Sequence, residues 1–305
     1  MKTLQTKAPS LQIPAIGLGC MRIAALQDGK DVQKLIHTAI DHGINFFDHA
    51  DIYAGGLSEE IFGRNLGDIR RQDVIIQTKC SIKPGVSYDF SKEHIVNSVD
   101  GSLKRLGTDY VDILLLHRPD TLMDPAEVAA AFDELQQAGK VRYFGVSNMN
   151  PGQIALLESE MPDRILFDQV QFSLAHCDII DSGLNVNIEN NAGTVRDGGL
   201  LEYARLKHIT LQAWSPFQYG MFEGTFIGSD KYPELNNVLE ELAHKYNVST
   251  GAVAVAWIMR HPAKIQTIVG TTKSSRLTEI AKASEFTLEH DEWYQLYLAA
   301  GKQLP

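Results

Sequence analysis

Residues 110–117 read YVDILLLH, an apolar run that ends in a histidine. Long apolar runs are typical of strands buried on both faces of a parallel sheet, whereas half-exposed strands alternate apolar and polar residues. Seven more β-rich runs are predicted strands, namely PAIGLG from Pro14, GINFFD from Gly43, DVIIQTK from Asp73, VRYFGVS from Val141, RILFDQV from Arg164, ITLQAW from Ile209 and IQTIVG from Ile265. The sequence therefore predicts eight strands, most of them fully buried.

Amphipathic helical segments separate the predicted strands and have recognisable ends. The first segment carries an apolar stripe made of Val32, Leu35, Ile36, Ala39 and Ile40. Gly43 follows this segment as a predicted C-cap. Asp124, Asn150 and Ser249 precede later helices as predicted N-caps, and Glu127 is expected to reach back to the first of them.

Eight strand–helix units in a row predict an α/β protein with right-handed crossovers. Eight strands also close a (β/α)8 TIM barrel, and we expect a single such domain over residues 1–305 because no linker divides the chain. An open doubly wound sheet is the alternative that this pattern leaves open. The connections after the sixth and seventh strands, Phe172 to Asp197 and Pro216 to Pro233, are long, and long loops without predicted structure are usually lids or binding loops.

The composition restricts the class of function. The 305 residues are 44% hydrophobic and 22% charged, with a formal net charge of −10, which argues against nucleic acid or an anionic membrane as partner. Three cysteines without a CxxC pair indicate a reducing compartment, and the start MKTLQTKAPS lacks the apolar segment of a signal peptide. We therefore expect a soluble cytoplasmic protein that is monomeric or weakly oligomeric.

Polar side chains follow the predicted strands at their carboxyl ends, which in a barrel form the face that carries catalysis. Asp48 ends the second strand, Tyr53 follows five residues later, and Lys79 and His117 end the third and fourth strands. Each residue alone is open to a structural interpretation as a turn residue, a solvated strand end or a buried histidine. Four titratable groups at one end of adjacent strands together indicate a catalytic site.

These residue types suit proton transfer to a carbonyl oxygen. A tyrosine has an ordinary pKa of about 10 and donates its proton poorly at neutral pH unless a neighbouring ammonium stabilises the phenolate. Lys79 is therefore expected to lower the pKa of Tyr53, Asp48 to hold Lys79, and His117 to orient the substrate oxygen. The sequence has no G-x-S-x-G elbow for acyl transfer.

Reduction of a carbonyl needs a hydride that side chains do not carry, so a cofactor is implied. The segment Gly17 to Arg22 lacks the third glycine of a Rossmann fingerprint. The segment VGTTKSSR, Val269 to Arg276, follows the eighth strand and enters a helix, and its hydroxyls, amides and two cations suit a phosphate. An ordinary capped turn with surface cations is the other interpretation of that segment.

The set of motifs resembles the aldo-keto reductase superfamily. FFDHADIY, residues 46–53, is similar to its Asp-Thr-Ala-x-x-Tyr signature, and QTKC and DILLLHRPD place a lysine and a histidine in matching order. GVSN, DQV, AWSP and VGTTKSSR follow in order, so the likeness runs from about Ile16 to Ala283. The resemblance implies a (β/α)8 barrel that reduces an aldehyde, ketone or sugar carbonyl with NADPH in an extended form.

The resemblance also implies roles for single residues. Tyr53 is the expected general acid, Asp48 and Lys79 tune it, and His117 orients the carbonyl. The expected cofactor-binding residues are Gly19, Met21, Ser147, Asn148, Gln169, Trp214, Ser215, Pro216, Phe217, Gly220, Gly270, Thr271, Thr272, Lys273, Arg276 and Glu279.

Within that set, the resemblance divides the cofactor among four groups of residues. They are Ser147, Asn148 and Gln169 for the nicotinamide carboxamide, Trp214 for its ring, Ser215 to Gly220 for the pyrophosphate, and Lys273, Arg276 and Glu279 for the adenosine 2′-phosphate and adenine. The preference for NADPH over NADH rests on the two cations, Lys273 and Arg276.

The chain departs from the family's pattern in several places. His49 replaces the usual Thr or Ser, and Cys20 with Met21 replaces a common Thr-Trp or Thr-Met pair. Trp214 stands for an aromatic residue that is often Tyr, which is conservative for stacking, and Ile280 stands for an Asn that often contacts adenine.

Two other functions are consistent with parts of the sequence. One is a cofactor-binding sensor or regulatory subunit with little turnover. The other is a barrel metallohydrolase that uses Asp48, His49, Asp51 and His117, although the sequence lacks an H-x-H or H-E-x-x-H ligand set and Lys79 would repel a cation there.

Overall fold

The computed structural model describes residues 1–26 and 28–304. These described residues form twelve strands, β1 (Thr3–Gln5), β2 (Gln12–Pro14), β3 (Ile16–Gly19), β4 (Phe46–Asp48), β5 (Ile75–Cys80), β6 (Ile82–Lys83), β7 (Ser87–Tyr88), β8 (Val111–Leu116), β9 (Val141–Ser147), β10 (Ile165–Gln171), β11 (Thr210–Trp214) and β12 (Gln266–Val269). They also form eleven α-helices, α1 (Gly29–Asp41), α2 (Leu57–Arg64), α3 (Lys92–Leu106), α4 (Pro125–Gln137), α5 (Pro151–Glu158), α6 (Asp178–Leu184), α7 (Leu200–Leu206), α8 (Pro233–Tyr246), α9 (Thr250–Arg260), α10 (Ser274–Ala281) and α11 (His290–Ala299).

Eight parallel strands close into a barrel in the order β10-β11-β12-β3-β4-β5-β8-β9. These are the eight strands predicted from the sequence, so the (β/α)8 barrel is confirmed and the open doubly wound sheet is wrong. In the register of the barrel, Asp48 of β4 pairs with Gln77 of β5, and Lys79 of β5 pairs with Leu115 of β8. The strand-end residues of the predicted site are thereby brought to one face.

The interior of the barrel is filled by side chains from alternate strand positions. Phe46, Ile113, Leu115, Phe167 and Ile268 belong to one buried apolar cluster, whereas their chain neighbours pack outward against the helices. Leu11 and Ile13, around the antiparallel pair β1–β2, join the same interior cluster. This N-terminal hairpin was not predicted from the sequence.

The helices surround the barrel and begin at the predicted caps. The side chains of Asp124, Asn150 and Ser249 each accept a hydrogen bond from a backbone N–H in the first turn of α4, α5 and α9. The prediction that Glu127 reaches back to the start of α4 is wrong. Its carboxylate instead accepts from the backbone N–H of Lys92 on α3 (3.3 Å), which is a contact between helices.

One of the two long connections, the one after β10, contains a helix. It was expected to be without regular structure, but α6 lies within it. Two apolar residues of α6, Ile179 and Ile180, are buried, and Asp181 accepts hydrogen bonds from Tyr297 and Lys302 near the C-terminus. These contacts stabilise a helix that the polar, Asn-rich sequence does not suggest.

The cysteines and the helices bear on the expected location of the protein. Cys20, Cys80 and Cys177 are buried free thiols, as a reducing compartment requires. Among the described residues, none of the helices combines the length and the apolar character that crossing a bilayer demands. The cytoplasmic location and the single-domain extent stay predictions.

Gly63 allows α2 to lie against the end of α3. A Cβ atom at this position would lie 2.3 Å from the backbone oxygen of Leu106, which cannot move away as a side chain can. We expect Gly63→Ala to lower the free energy of unfolding by about 1–3 kcal/mol. Urea denaturation measures this, with Gly251→Ala in α9 as control, because a Cβ there meets only ordinary contacts from 3.5 Å. Equal stability of the two variants would contradict the close approach.

Candidate active site

A cavity of about 450 Å³ opens at the carboxyl ends of the barrel strands. The predicted site residues that line it are Gly19, Met21, Asp48, Tyr53, His117, Ser147, Asn148, Gln169, Trp214, Ser215, Pro216, Phe217, Gly270, Thr271 and Arg276. Another cavity, of about 400 Å³, lies beside the barrel between residues of α6, α7, α9 and α11 and contains none of the predicted residues. The candidate active site is therefore the cavity at the mouth of the barrel.

Lys79 and Asp48 form an ion pair inside the barrel. The Lys79 ammonium is fully buried and lies 2.7 Å from both carboxylate oxygens of Asp48. It also donates to the backbone oxygen of His49 (2.9 Å) and contacts the hydroxyl oxygen of Tyr53 (3.2 Å). Burial is the largest single influence and would lower the pKa of Lys79, but Asp48 and Tyr53 together outweigh it and the pKa is raised, so the ammonium stays charged at neutral pH.

Tyr53 stands above this ion pair on the short 3₁₀ turn Tyr53–Gly56 that follows β4. Burial raises the pKa of its phenol above 10, and the opposing effect of the Lys79 ammonium does not cancel that rise. The predicted influence of Lys79 is present, because its ammonium does lower the pKa of Tyr53, but burial is the larger cause and the net shift is upward. The physical reason is that a buried phenolate loses its hydration, and the Lys79 charge is already largely compensated by Asp48.

His117 lies beside Tyr53, with ring centroids 5.9 Å apart in an edge-on arrangement. Burial, together with the positive charges of Lys79 and Arg118, lowers the pKa of His117 well below its usual 6.5. The imidazole is therefore neutral at physiological pH, and a neutral ring offers one N–H donor and one acceptor. Such a group is suited to holding a carbonyl oxygen without taking up its proton.

Three glutamines that the sequence analysis missed join Gln169 in a chain of side-chain amides across the barrel. Gln77 and Gln169 each donate to Asp48 Oδ1 (2.6 and 3.0 Å) and to Gln212 Oε1 (2.9 and 3.0 Å). Gln212 donates to Gln266, which donates to the backbone oxygen of Pro14 (2.8 Å). This hydrogen-bond network fixes the Asp48 carboxylate. It also occupies the amide N–H groups of Gln169 as donors.

Asn148 connects β9 to the wall of the cavity. It has a positive φ of 59°, its amide donates to the backbone oxygen of His117 (3.2 Å), and its oxygen accepts from the indole N–H of Trp214 (3.1 Å). Ser147 donates to the backbone oxygen of Gln169 (2.7 Å). These bonds hold the Trp214 ring at a fixed angle to the cavity.

Five predicted residues do not border the cavity. Lys79 lies behind Tyr53 and Asp48, while Gly220, Thr272, Lys273 and Glu279 lie further out. Both carboxylate oxygens of Glu279 contact the ammonium of Lys282 (3.0 and 2.9 Å). Lys273 precedes α10 as its cap residue and is exposed.

The four residues of the alternative metallohydrolase site, Asp48, His49, Asp51 and His117, do not converge on one point. His49 is fully buried on the outer face of β4, against the ring of Phe62, and burial lowers its pKa to about 3. Asp51 lies near Glu59 and Arg105. In residues 1–26 and 28–304, these side chains form no cluster of three or more metal-ligating groups.

The cavity wall also contains residues that the sequence analysis did not single out. They are Arg22, Ile52, Ala54, Ile82, Arg118, Met221, Phe222, Thr225 and Ile268. Arg118 directly follows His117 in the chain, so its position next to a predicted catalytic residue was a signal that could have found it. Met221 and Phe222 lie in the loop after β11 and are 57% and 58% exposed.

Comparison with known proteins finds similarity to one protein family over nearly the whole chain. The model of the Aldo/keto reductase family matches residues 15–297. An uncharacterized oxidoreductase of Bacillus subtilis, YcsN, is 37% identical over 90% of both chains. A 6-dehydroglucose reductase of Agrobacterium fabrum is 35% identical over 96% of this chain and 97% of its own.

One solved structure is similar to this chain in fold, and one more distant relative carries a name that is not that of an enzyme. An aldo-keto reductase from Klebsiella pneumoniae, solved with NADPH, has a TM-score of 0.79 at 24% identity and covers 100% of this chain and 96% of its own. A more distant relative, 29% identical over 84% of this chain and 82% of its own, is named a probable voltage-gated potassium channel subunit beta of Arabidopsis thaliana.

The ion pair inside the barrel has a measurable consequence for stability. Lys79→Met removes the ammonium and leaves the Asp48 carboxylate buried without a counter-charge, so we expect a loss of about 3–5 kcal/mol in the free energy of unfolding at pH 7. The double variant Lys79→Met/Asp48→Asn removes both charges and should recover most of that loss. Chemical denaturation measures both values, and a double variant no more stable than Lys79→Met would contradict the pairing.

Asp51 predicts a pH dependence of stability. Burial, followed by the nearby Glu59 carboxylate, raises its pKa from 3.8 to about 7. In the unfolded chain this carboxyl loses its proton near pH 4, so between about pH 4 and 7 the folded state binds more protons and stability falls as pH rises.

Asp51→Asn should remove the part of this fall that Asp51 contributes, which amounts to at most about 1.4 kcal/mol per pH unit. Urea unfolding at pH 5 and pH 7.5 measures it for the wild type and the variant. Asp230→Asn, at an exposed position, is the control and should keep the slope of the wild type. The same slope in Asp51→Asn as in the wild type would rule out the role of this carboxyl.

Proposed function

The chain belongs to the aldo/keto reductase family of oxidoreductases, and we propose that it reduces an aldehyde or ketone to the alcohol with NADPH, with Tyr53 as the general acid. The observation that carries this proposal is the position of the Tyr53 hydroxyl, 3.2 Å from the Lys79 ammonium at the floor of the cavity. The ammonium is in turn held at 2.7 Å by Asp48. A proton donor is thus placed where a carbonyl can reach it.

The residues at the mouth of the barrel fit the cofactor. Lys273 and Arg276 are exposed at the start of α10 and make no ion pair within the described part of the chain, so both cations are available for a phosphate. A Cβ atom on Gly270 would meet nothing within 4 Å, which leaves open space beside the chain. Trp214 presents its ring to the cavity in a fixed orientation. When bound there, NADPH supplies the hydride.

The carboxamide end of the cofactor would meet Ser147, Asn148 and Gln169. Gln169 uses its N–H groups within the barrel network, so its oxygen is the group left to accept a hydrogen bond. The loop from Ser215 to Gly220 follows β11, its residues Ser215 to Gln218 line the cavity, and it would hold the pyrophosphate. Lys273 and Arg276 then account for a 2′-phosphate, which NADPH carries and NADH lacks.

Proton delivery follows from the arrangement of Tyr53 and Lys79. The raised pKa of Tyr53 keeps its proton in place at neutral pH until the carbonyl oxygen gains negative charge. At that moment the ammonium 3.2 Å away stabilises the phenolate that remains. The neutral His117 donates a hydrogen bond that holds the oxygen next to Tyr53.

A second candidate function is a cofactor-binding regulatory subunit, because one relative is named a potassium channel beta subunit. Such a protein would bind NADPH and show negligible turnover with any carbonyl compound. The presence of Asp48, Tyr53, Lys79 and His117 around one cavity favours the enzyme.

Tyr53→Phe tests the general acid. The variant keeps the ring but lacks the proton, so we expect the rate of carbonyl reduction to fall about 10²–10⁴-fold, with NADPH binding changed less than threefold. Aldehyde-dependent oxidation of NADPH measures turnover, and tryptophan fluorescence measures binding. Tyr143→Phe is the matched control, because this tyrosine bonds Ser10 at the opposite end of the barrel (2.8 Å). Unchanged turnover in Tyr53→Phe would show that another group supplies the proton.

A further inference from the structure

Arg118 is a cation in the cavity wall that neither the proton-transfer set nor the cofactor residues explain. It follows His117 directly after β8, is half-buried, and its guanidinium lies over the Trp214 ring, 5.8 Å from the centroid. In the order of the barrel strands, β8 stands opposite β12, four strands away. Arg118 therefore faces the phosphate-binding segment after β12 from across the mouth.

The guanidinium of Arg118 has no carboxylate partner in residues 1–26 and 28–304. The nearest acid along the chain is Asp120, whose two oxygens accept from the backbone N–H groups of Phe90 (3.0 Å) and Leu122 (2.9 Å). A half-buried cation without a partner has lost part of its hydration. Binding of an anion that replaces the lost water is therefore favoured.

The charges in the cavity wall are unlike those of the whole chain. The chain carries a formal net charge of −10, yet the wall contains Arg22, Arg118 and Arg276 and only one carboxylate, that of Asp48. Lys79 neutralises that carboxylate. Arg276 lies after β12, in the segment expected to hold a phosphate, and Arg22 follows β3, whereas Arg118 directly follows His117 after β8.

The remaining wall next to Arg118 is apolar and suits a short carbon chain. Ile52 lines it from the loop after β4, Ile82 from strand β6, and Met221 and Phe222 from the loop after β11. A guanidinium presents a planar fork of N–H donors that matches a carboxylate or a phosphate. The wall thus offers one charged contact beside a largely apolar surface.

We propose that Arg118 is a specificity-determining residue that binds an anionic group, a carboxylate or a phosphate, on the same molecule as the carbonyl that is reduced. The inference rests on the proposed function of the site. The preferred substrates are therefore small aldehydes or ketones with an acid group on the opposite end of the molecule from the reacting carbonyl. A neutral sugar, the class named for the Agrobacterium relative, is the competing occupant.

Matched substrate pairs test the proposal in the wild type with NADPH. The pairs are 4-carboxybenzaldehyde against its methyl ester, succinic semialdehyde against butanal, and glyceraldehyde 3-phosphate against glyceraldehyde, so that carboxylate and phosphate are distinguished. We expect the anionic member of at least one pair to have a kcat/KM about tenfold higher or more, through KM, with an advantage that shrinks as salt is added. Equal values in all pairs, or preference for the neutral member in every pair, would overturn the proposal.

Variants of Arg118 separate recognition from folding. Arg118→Gln should raise KM for the anionic member roughly 10–100-fold, with kcat and the neutral member changed less than threefold, and Arg118→Lys should recover part of the loss. Arg205→Gln, at the exposed end of α7, is the control for the lost charge and should leave both members unchanged. An equal loss for both members in Arg118→Gln would show that the residue only supports the fold.

A binding measurement separates failure of this inference from failure of the proposed function. If no carbonyl compound is reduced although NADPH binds, the proposed function fails. The quenching of tryptophan fluorescence by 4-carboxybenzyl alcohol, in the presence of NADP⁺, then tests the anion contact by itself. Binding that weakens at least tenfold in Arg118→Gln supports the contact, and binding that is absent or unchanged overturns it.

Discussion

The ion pair between Lys79 and Asp48 lies inside the barrel, where both charges are buried, and the arrangement of the site follows from it. An isolated charge at this depth costs several kcal/mol, so each group requires the other. Asp48 in addition accepts from Gln77 and Gln169, and Lys79 in addition contacts the hydroxyl of Tyr53. The Lys79 ammonium has few hydrogen-bonding directions left after its contacts with Asp48, and one of them points to the Tyr53 hydroxyl.

The barrel provides this pair with a rigid and layered surrounding. Apolar side chains such as Phe46 and Phe167 fill the interior together with Leu11 and Ile13 of the N-terminal segment. The glutamine amides lie between this apolar filling and the charged pair, and they satisfy one another within hydrogen-bond distance. A polar network that is satisfied inside a packed core fixes its members, because any movement would leave a buried polar group without a partner. The polar groups of the candidate site are consequently held in place before a substrate arrives.

The sequence predicts the parts of this structure that depend on local pattern, and it misses those that depend on the assembled charges. The eight strands, the caps Asp124 and Asn150 and the four strand-end groups are visible because apolar runs and polar ends recur along the chain. Helix α6 is not visible, since its stability comes from Asp181 and its partners, more than a hundred residues away. The direction of the pKa of Tyr53 is likewise hidden, because it depends on how far burial outweighs one ammonium.

The raised pKa of Tyr53 is compatible with the role of acid that we propose for it, because catalysis depends on a difference between two states. Before reaction the phenol is neutral, and burial costs a neutral phenol little. As a hydride adds to the carbonyl carbon, negative charge develops on the oxygen, and the proton moves toward a base far stronger than water. The Lys79 ammonium then acts on a full charge in a medium of low dielectric, where its effect is largest. In the proposed reaction the Lys79 ammonium therefore stabilises the transition state more than the resting acid. The pKa of Tyr53 in the protein without substrate understates this stabilisation.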